Sequence, residues 1–188
     1  MAKRASTASQ LTGGTNDVNP QFLSGLITLS AANTATEVTL GTPIVRVGPQ
    51  TGGQAIIMEL LKVFWLSEAA GPVAAAAETS MQLSVYASTR DHGATATSYA
   101  VTDVFDGFRK NASAAFTAAG TYYSVDDAWE SHDLTDGAGH GILIATDNIY
   151  LQISSAGLAA ARSVSAKLLY RWKEIDLVEY IGIVQSQQ

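Results

Sequence analysis

Apolar and polar residues alternate along most of the chain once its first twenty residues are passed. The segment from Ser163 is the cleanest case: Val164, Ala166, Leu168, Tyr170 and Trp172 fall on one side, Ser165, Lys167, Arg171 and Lys173 on the other, with Leu169 as the exception. A period of two is that of a strand with one face in a core. The pattern recurs in SMQLSVYAS, with Met81, Leu83, Val85 and Ala87 inward, in GILIATD, and in NIYLQIS, with Ile149, Leu151 and Ile153 inward. From Phe22, LSGLITLSAANTATEVTLGTPIVRV predicts a hairpin and a further extended piece, IVRV, kept short or at an edge by Pro43 and Pro49. QAIIMELLKVFWLSE is apolar in both alternating sets: Ile56, Met58, Leu60, Phe64 and Leu66, against Ile57, Leu61, Val63 and Trp65. Each set is broken by one charge, Lys62 or Glu59, which predicts a strand covered on both sides.

Two Ala-rich stretches break the alternation. AAGPVAAAAET, with Pro72 suited to a first helical turn, predicts a loop holding a short helix. NASAAFTAAG predicts a second one, capped by Asn111 or Ser113 and stopped by Gly120. TSYAVTDVFDGF offers one more strand. Short strands at roughly 8–12-residue spacing, with no alternating long helices, point to an all-β sandwich or jelly roll. Residues 1–21 are rich in Ser, Thr, Gly, Asn and Ala and are expected to form a flexible arm, residues 22–174 the domain, and residues 175–188 a C-terminal extension. That extension is unusually apolar, with Ile175, Leu177, Val178, Tyr180, Ile181, Ile183 and Val184 running almost to the last residue.

Composition narrows the chemistry. At 188 residues and 47% hydrophobic, the chain can bury one core. Seventeen acidic against eleven basic residues, a net charge of −6, argue against whole-surface attraction to nucleic acid or anionic membrane. The absence of cysteine excludes disulfides, thiolate metal sites and cysteine nucleophiles. No secretory signal and no apolar run of membrane-spanning length are present, so the chain is expected to be made and folded in the cytoplasm, without a membrane partner. For the same reason Asn111, in NAS, is a glycosylation sequon only on paper.

The densest polar cluster, SVDDAWESHDLTDGAGHG, holds Asp126, Asp127, Glu130, His132, Asp133, Asp136 and His140. Its aspartates Asp126, Asp127, Asp133 and Asp136 are candidates for a calcium ion, because hard cations take several oxygen ligands. The D-x-D-x-D-G order of a calcium loop is absent, and a solvated loop is the other reading. His132 and His140 lack zinc-protease spacing, and GAGHG precedes a strand without the Lys-Ser/Thr of a phosphate loop. No G-x-S-x-G accompanies the three histidines, His92, His132 and His140, so nothing supports a catalytic triad and no enzyme activity is expected. Lys167, Arg171 and Lys173 share one strand face behind Arg162, which could form a phosphate-contacting strip or a solvated face with acids across the sheet.

The stretches FTAAGTYYSVDDAWESHDLTDGAGHGILIATDNIYLQI and LLYRWKEIDLVEYIGIVQSQQ resemble the capsid proteins of small non-enveloped icosahedral viruses, most nearly those of circular single-stranded DNA viruses known from environmental sequence. The resemblance implies an eight-stranded antiparallel jelly roll with short loop helices, whose copies close into a shell around the genome. It places the chain in the virion, assembled in the host cell, with outer loops free to meet a host receptor. It also implies that the apolar extension, through Ile175, Leu177, Tyr180, Ile181 and Ile183, is covered on the domain or by a neighbouring copy. Many such proteins carry an Arg/Lys-rich arm; here the arm has Lys3 and Arg4, so genome contact through these two and through Lys167, Arg171 and Lys173 is expected to be weak. No cofactor is expected beyond a calcium ion at a subunit interface. The alternative is a carbohydrate-binding or adhesin-like β-sandwich forming a small closed oligomer.

Overall fold

The computed structural model describes residues 20–42, 54–67, 80–113, 115–117, 120–122 and 130–187. Lys3, Arg4, Asp126, Asp127, the IVRV piece and the helix expected around Pro72 lie outside them. The strands are β1 (Gln21–Thr28), β2 (Ala35–Gly41), β3 (Gln54–Ser67), β4 (Ser80–Ser88), β5 (Val104–Ser113), β6 (Ala115–Thr117), β7 (Gly120–Tyr122), β8 (Glu130–Asp133), β9 (Ile142–Ile144), β10 (Asn148–Ala156) and β11 (Ser163–Asp176), followed by one helix, α1 (Leu177–Ser186).

Every strand pairing is antiparallel. The first sheet runs β1-β11-β3-β8, with β9 also on β3, and the second runs β2-β10-β4-β5. β8 pairs with Lys62–Trp65 and β9 with Met58–Leu60, consecutive stretches of one edge of β3. Taken as one interrupted strand they complete two four-stranded sheets, and the chain changes sheet between β1 and β2, β2 and β3, and β3 and β4. This is the eight-stranded jelly roll.

The inner faces supply the core: Met58, Leu60, Val63, Trp65, Val164, Ala166 and Leu168 from the first sheet meet Leu83, Val85, Ile149, Leu151 and Ile153 from the second. The sheets approach so closely at Gly25 that a Cβ there would sit 2.7 Å from Leu40 Cδ2. One residue of β3 interrupts the alternation. Leu169 pairs with Lys62 and Tyr170 with Leu60, leaving Leu61 as a bulge, so Met58 and Leu60 share a face with Val63 and Trp65. The strict alternation read from the sequence had assigned those pairs to opposite sets.

The helix expected over residues 111–120 is not formed. Asn111 and Ser113, the expected caps, belong to β5 and pair with Gln82 and Ser80 of β4, while Ala115–Thr117 and Gly120–Tyr122 form a separate hairpin. Alanine's helix propensity is worth only tenths of a kcal/mol per residue over most alternatives, and an available ladder overrides it. Among the described residues the helix lies at the C-terminus instead of in a loop. None is long and apolar enough to cross a membrane.

Polar groups hold the margins. The β4–β5 loop folds over the outer face of the second sheet, where Gln152 accepts from Thr97 N (2.7 Å) and donates to Thr95 O (2.8 Å), and Glu37 accepts from His92 N (3.0 Å) and Gly93 N (3.3 Å). On the open side of the sandwich, buried Asp106 of the second sheet accepts from Trp65 Nε1 of the first (2.8 Å), and its other oxygen lies 2.6 Å from His132 Nδ1. Replacing Asp106 with alanine would leave the buried indole N–H without its acceptor, and should cost about 1–3 kcal/mol. Urea denaturation followed by tryptophan fluorescence would measure this; an unchanged midpoint would show that the bridge contributes nothing.

Candidate functional site

The outer face of the first sheet carries the residues singled out by the sequence, divided between a covered and an open region. β11 outruns its neighbour β1: Gln21 pairs with Tyr170, whereas β3 accompanies β11 as far as Asp176. Over this far end lies α1. Asp176 caps it by accepting from Glu179 N at 2.7 Å. At the other end Gln187 donates to Leu143 O (2.6 Å) and accepts from Ala145 N (3.0 Å), fastening the helix to the sheet. Tyr180, Ile183 and Val184 pack on Ala55, Ile57, Ala145 and Ile175, a second apolar cluster on the side of the sheet away from the main core.

The five residues expected at a subunit interface therefore separate. Ile175, Tyr180 and Ile183 face the chain's own domain; Leu177 and Ile181, with Val178, point outward and are exposed.

Beside this cluster, Glu59 is fully buried in β3. Arg171 Nε lies 2.5 Å from its Oε2, Lys173 Nζ 3.8 Å from its Oε1, and Gly141 N donates to it at 2.9 Å. Arg171 also donates to Gly139 O at 2.9 Å, drawing the β8–β9 loop onto the sheet. A Cβ at residue 141 would meet Leu60 O at 2.1 Å, so glycine is required for that approach. Burial pushes the Glu59 carboxyl up, but the Arg171 and Gly141 hydrogen bonds and the two positive charges together hold it below its ordinary value. Two of the three cations of the expected phosphate strip thus share one buried carboxylate. The third, Lys167, stands 5.5 Å over the ring of Phe22.

Of the calcium candidates within the described residues, Asp133 accepts from Thr135 N and Oγ1 (2.9 and 2.7 Å). Asp136 accepts from Ala138 N and His140 N (2.8 and 3.0 Å) and lies 3.0 Å from His140 Nδ1. These hydrogen bonds hold the Asp136 carboxyl down at about 2. Both aspartates shape turns, and among the described residues no three His, Asp or Glu side chains gather where a metal ion could be held. Each histidine is paired with one aspartate: His92 with Asp103 at 2.7 Å, His132 with Asp106, and His140 with Asp136.

Sequence reasoning treated Glu59 only as an interruption in β3. The available signal was one acid in a strand apolar on both faces, with Arg171 and Lys173 spaced two apart on another strand. It did not single out Phe22 and Leu26, which lie in the phase opposite to buried Ile27 and are 57% and 56% exposed.

No family model and no curated protein matches the chain. Among solved structures it is similar to VP1 of Trichodysplasia spinulosa-associated polyomavirus in complex with GM1 oligosaccharide, at 8% identity and a TM-score of 0.51, covering 86% of this chain and 97% of that one. The same VP1 in complex with 3'-sialyllactose gives 7% identity, a TM-score of 0.51 and the same coverage. What is shared is the fold: the chain has the jelly roll of VP1 capsid proteins.

Because folding lowers the Glu59 pKa, its stabilising effect is complete above the ordinary value of 4.5 and is lost as pH falls through the folded value. Glu59→Gln should cost about 1.5–3 kcal/mol at pH 7, and the gap from wild type should narrow as pH falls below 4.5. Denaturant midpoints between pH 7 and 3 measure both; a constant gap would rule out the carboxylate's charge as the cause. Ending the chain after Asp176 uncovers Ala55, Ile57 and Ile175, and should give a protein that binds a hydrophobic dye and aggregates.

Proposed function

We propose that the chain is a coat subunit of a non-enveloped virus, a structural protein without catalytic activity whose copies close into an icosahedral shell around the genome. The observation that carries this reading is the complete jelly roll, matched to VP1 over nearly all of both chains, on a molecule that keeps apolar side chains on the outside of one sheet and one helix. Surfaces of that kind are normally covered by a partner. The finer likeness, to coat proteins of small circular single-stranded DNA viruses, rests on the two sequence stretches quoted above and belongs to the same proposal. Retention of the genome then owes little to this chain's cations, since Arg171 and Lys173 are engaged by Glu59. Enclosure, other cations or a second protein would supply the rest.

A receptor role on the outside of the shell is a second part of the reading. A groove of about 350 Å³ lies between the end of the second sheet and the β4–β5 loop, lined by Asn33, Thr34, Gln82, Ala94, Ser154 and Ser155 among others. Its amides and hydroxyls suit neutral sugar hydroxyls, and among the described residues no charged side chain lines it. Saturation-transfer NMR with neutral and sialylated oligosaccharides tests it, and transfer to neither class would remove the receptor role.

The first measurement is native mass by light scattering with electron microscopy on the same fraction. Closed particles of megadalton mass are expected. A monomer or small oligomer at high concentration would overturn the coat reading and favour a small sugar-binding module instead.

A further inference from the structure

The coat-subunit reading leaves open which surfaces of the chain meet, and the inference that follows rests on that reading. The outer face of the first sheet carries apolar side chains at both ends, on either side of the Glu59, Arg171 and Lys173 cluster, yet α1 covers only the end formed by Ala55, Ile57 and Ile175. At the opposite end Phe22 and Leu26 of β1 are more than half exposed, with Phe64, Leu66 and Leu169 half-buried on the same face. No described residue covers them. Two cations border this surface, Lys167 above Phe22 and Lys62 at 5.1 Å above Phe64; one acid, Asp133, lies opposite Lys62, interacts with its charge and is hydrogen-bonded by Thr135, so the border keeps a net positive charge. Between β1 and β11 it dips into a groove of about 260 Å³ that includes Ser24, Leu26 and Lys167.

The outward side of α1 has the complementary character. Leu177, Val178 and Ile181 form an apolar ridge, with Val178 81% exposed. The N-cap Asp176 and Glu179 in the first turn stand at its start, and the helix contains no basic residue. Like surfaces would bring acid to acid or lysine to lysine, whereas unlike surfaces join opposite charges around a shared apolar centre.

We propose that the outward ridge of α1 in one copy docks on the Phe22–Leu26 surface of a second copy, doing between chains what the inward side of α1 does within one. The contact is head-to-tail. After pairing, one copy keeps an unused sheet surface and the other an unused ridge, so the contact propagates until a ring or shell closes.

The test uses two exposed positions whose substitution leaves the core untouched, Val178→Asp and Leu26→Asp. Each variant alone should melt like the wild type and sediment as a single chain of 19.7 kDa at concentrations where the wild type assembles. Mixed in equal amounts, they should double in mass and stop there, because one variant supplies the intact ridge and the other the intact sheet surface. Either variant assembling like the wild type, or a mixture remaining at single-chain mass while the wild type forms shells, would overturn this pairing and leave the coat reading standing. A wild-type chain that never assembles overturns both.

Discussion

The burial of β3 on both of its faces is the constraint from which most of the molecule follows. A strand in a two-layer sandwich needs one apolar face, but β3 has two, and its outer one carries a carboxylate with no access to water. An ion in that position is tolerated only when paired and hydrogen-bonded. Arg171 and Lys173 meet the charge, Gly141 contributes an N–H, and the β8–β9 loop is drawn onto the sheet as a result. Ala55 and Ile57 on that face need a lid, which α1 provides, while Phe64 and Leu66 at its other end are left half-buried. The bulge at Leu61 reconciles the two halves of the strand, since without the extra residue either Met58 and Leu60 or Val63 and Trp65 would leave the core.

Much of the architecture was legible in the chain because β11, β4 and β10 alternate without a break and each has a buried inner face. Legibility failed where long-range pairing decides the outcome. Alanines between Asn111 and Gly120 satisfy the local rules for a helix, and only the unpaired edge of β4 makes strand the better solution for Asn111 and Ser113. A bulge cannot be recognised from one strand, because it exists only in the register between two. The apolar extension was visible as an anomaly, but its division into inward Tyr180, Ile183 and Val184 and outward Leu177, Val178 and Ile181 depends on helical geometry that the run of large side chains conceals. Likewise Lys167, Arg171 and Lys173 look equivalent along β11, and differ only because Glu59 lies across from Arg171 and within reach of Lys173, while Phe64 lies across from Lys167.

The two outer faces of the sandwich have opposite solutions. The second sheet is covered by its own β4–β5 loop, pinned by hydrogen bonds that its N–H groups donate to Gln152 and Glu37 and by the phenol of Tyr99, which donates to Gly107 O and stacks edge-on against Tyr86. Gln152 and Glu37 of that face are engaged within the chain. The first sheet is covered by apolar contact and only in part. One side of the molecule is therefore closed by its own chain and the other only in part, a difference in chemistry that gives it a definite front and back.

The Asp106 bridge has a mechanical consequence. Its carboxylate, rooted in one sheet, bonds an indole and an imidazole of the other, and all three groups have directional geometry. Sliding the sheets past one another by a single residue would break both bonds at once, on top of the interdigitated apolar contacts between them. The bridge thus sets the relative register of the two sheets, which apolar contacts define less sharply than directional bonds do.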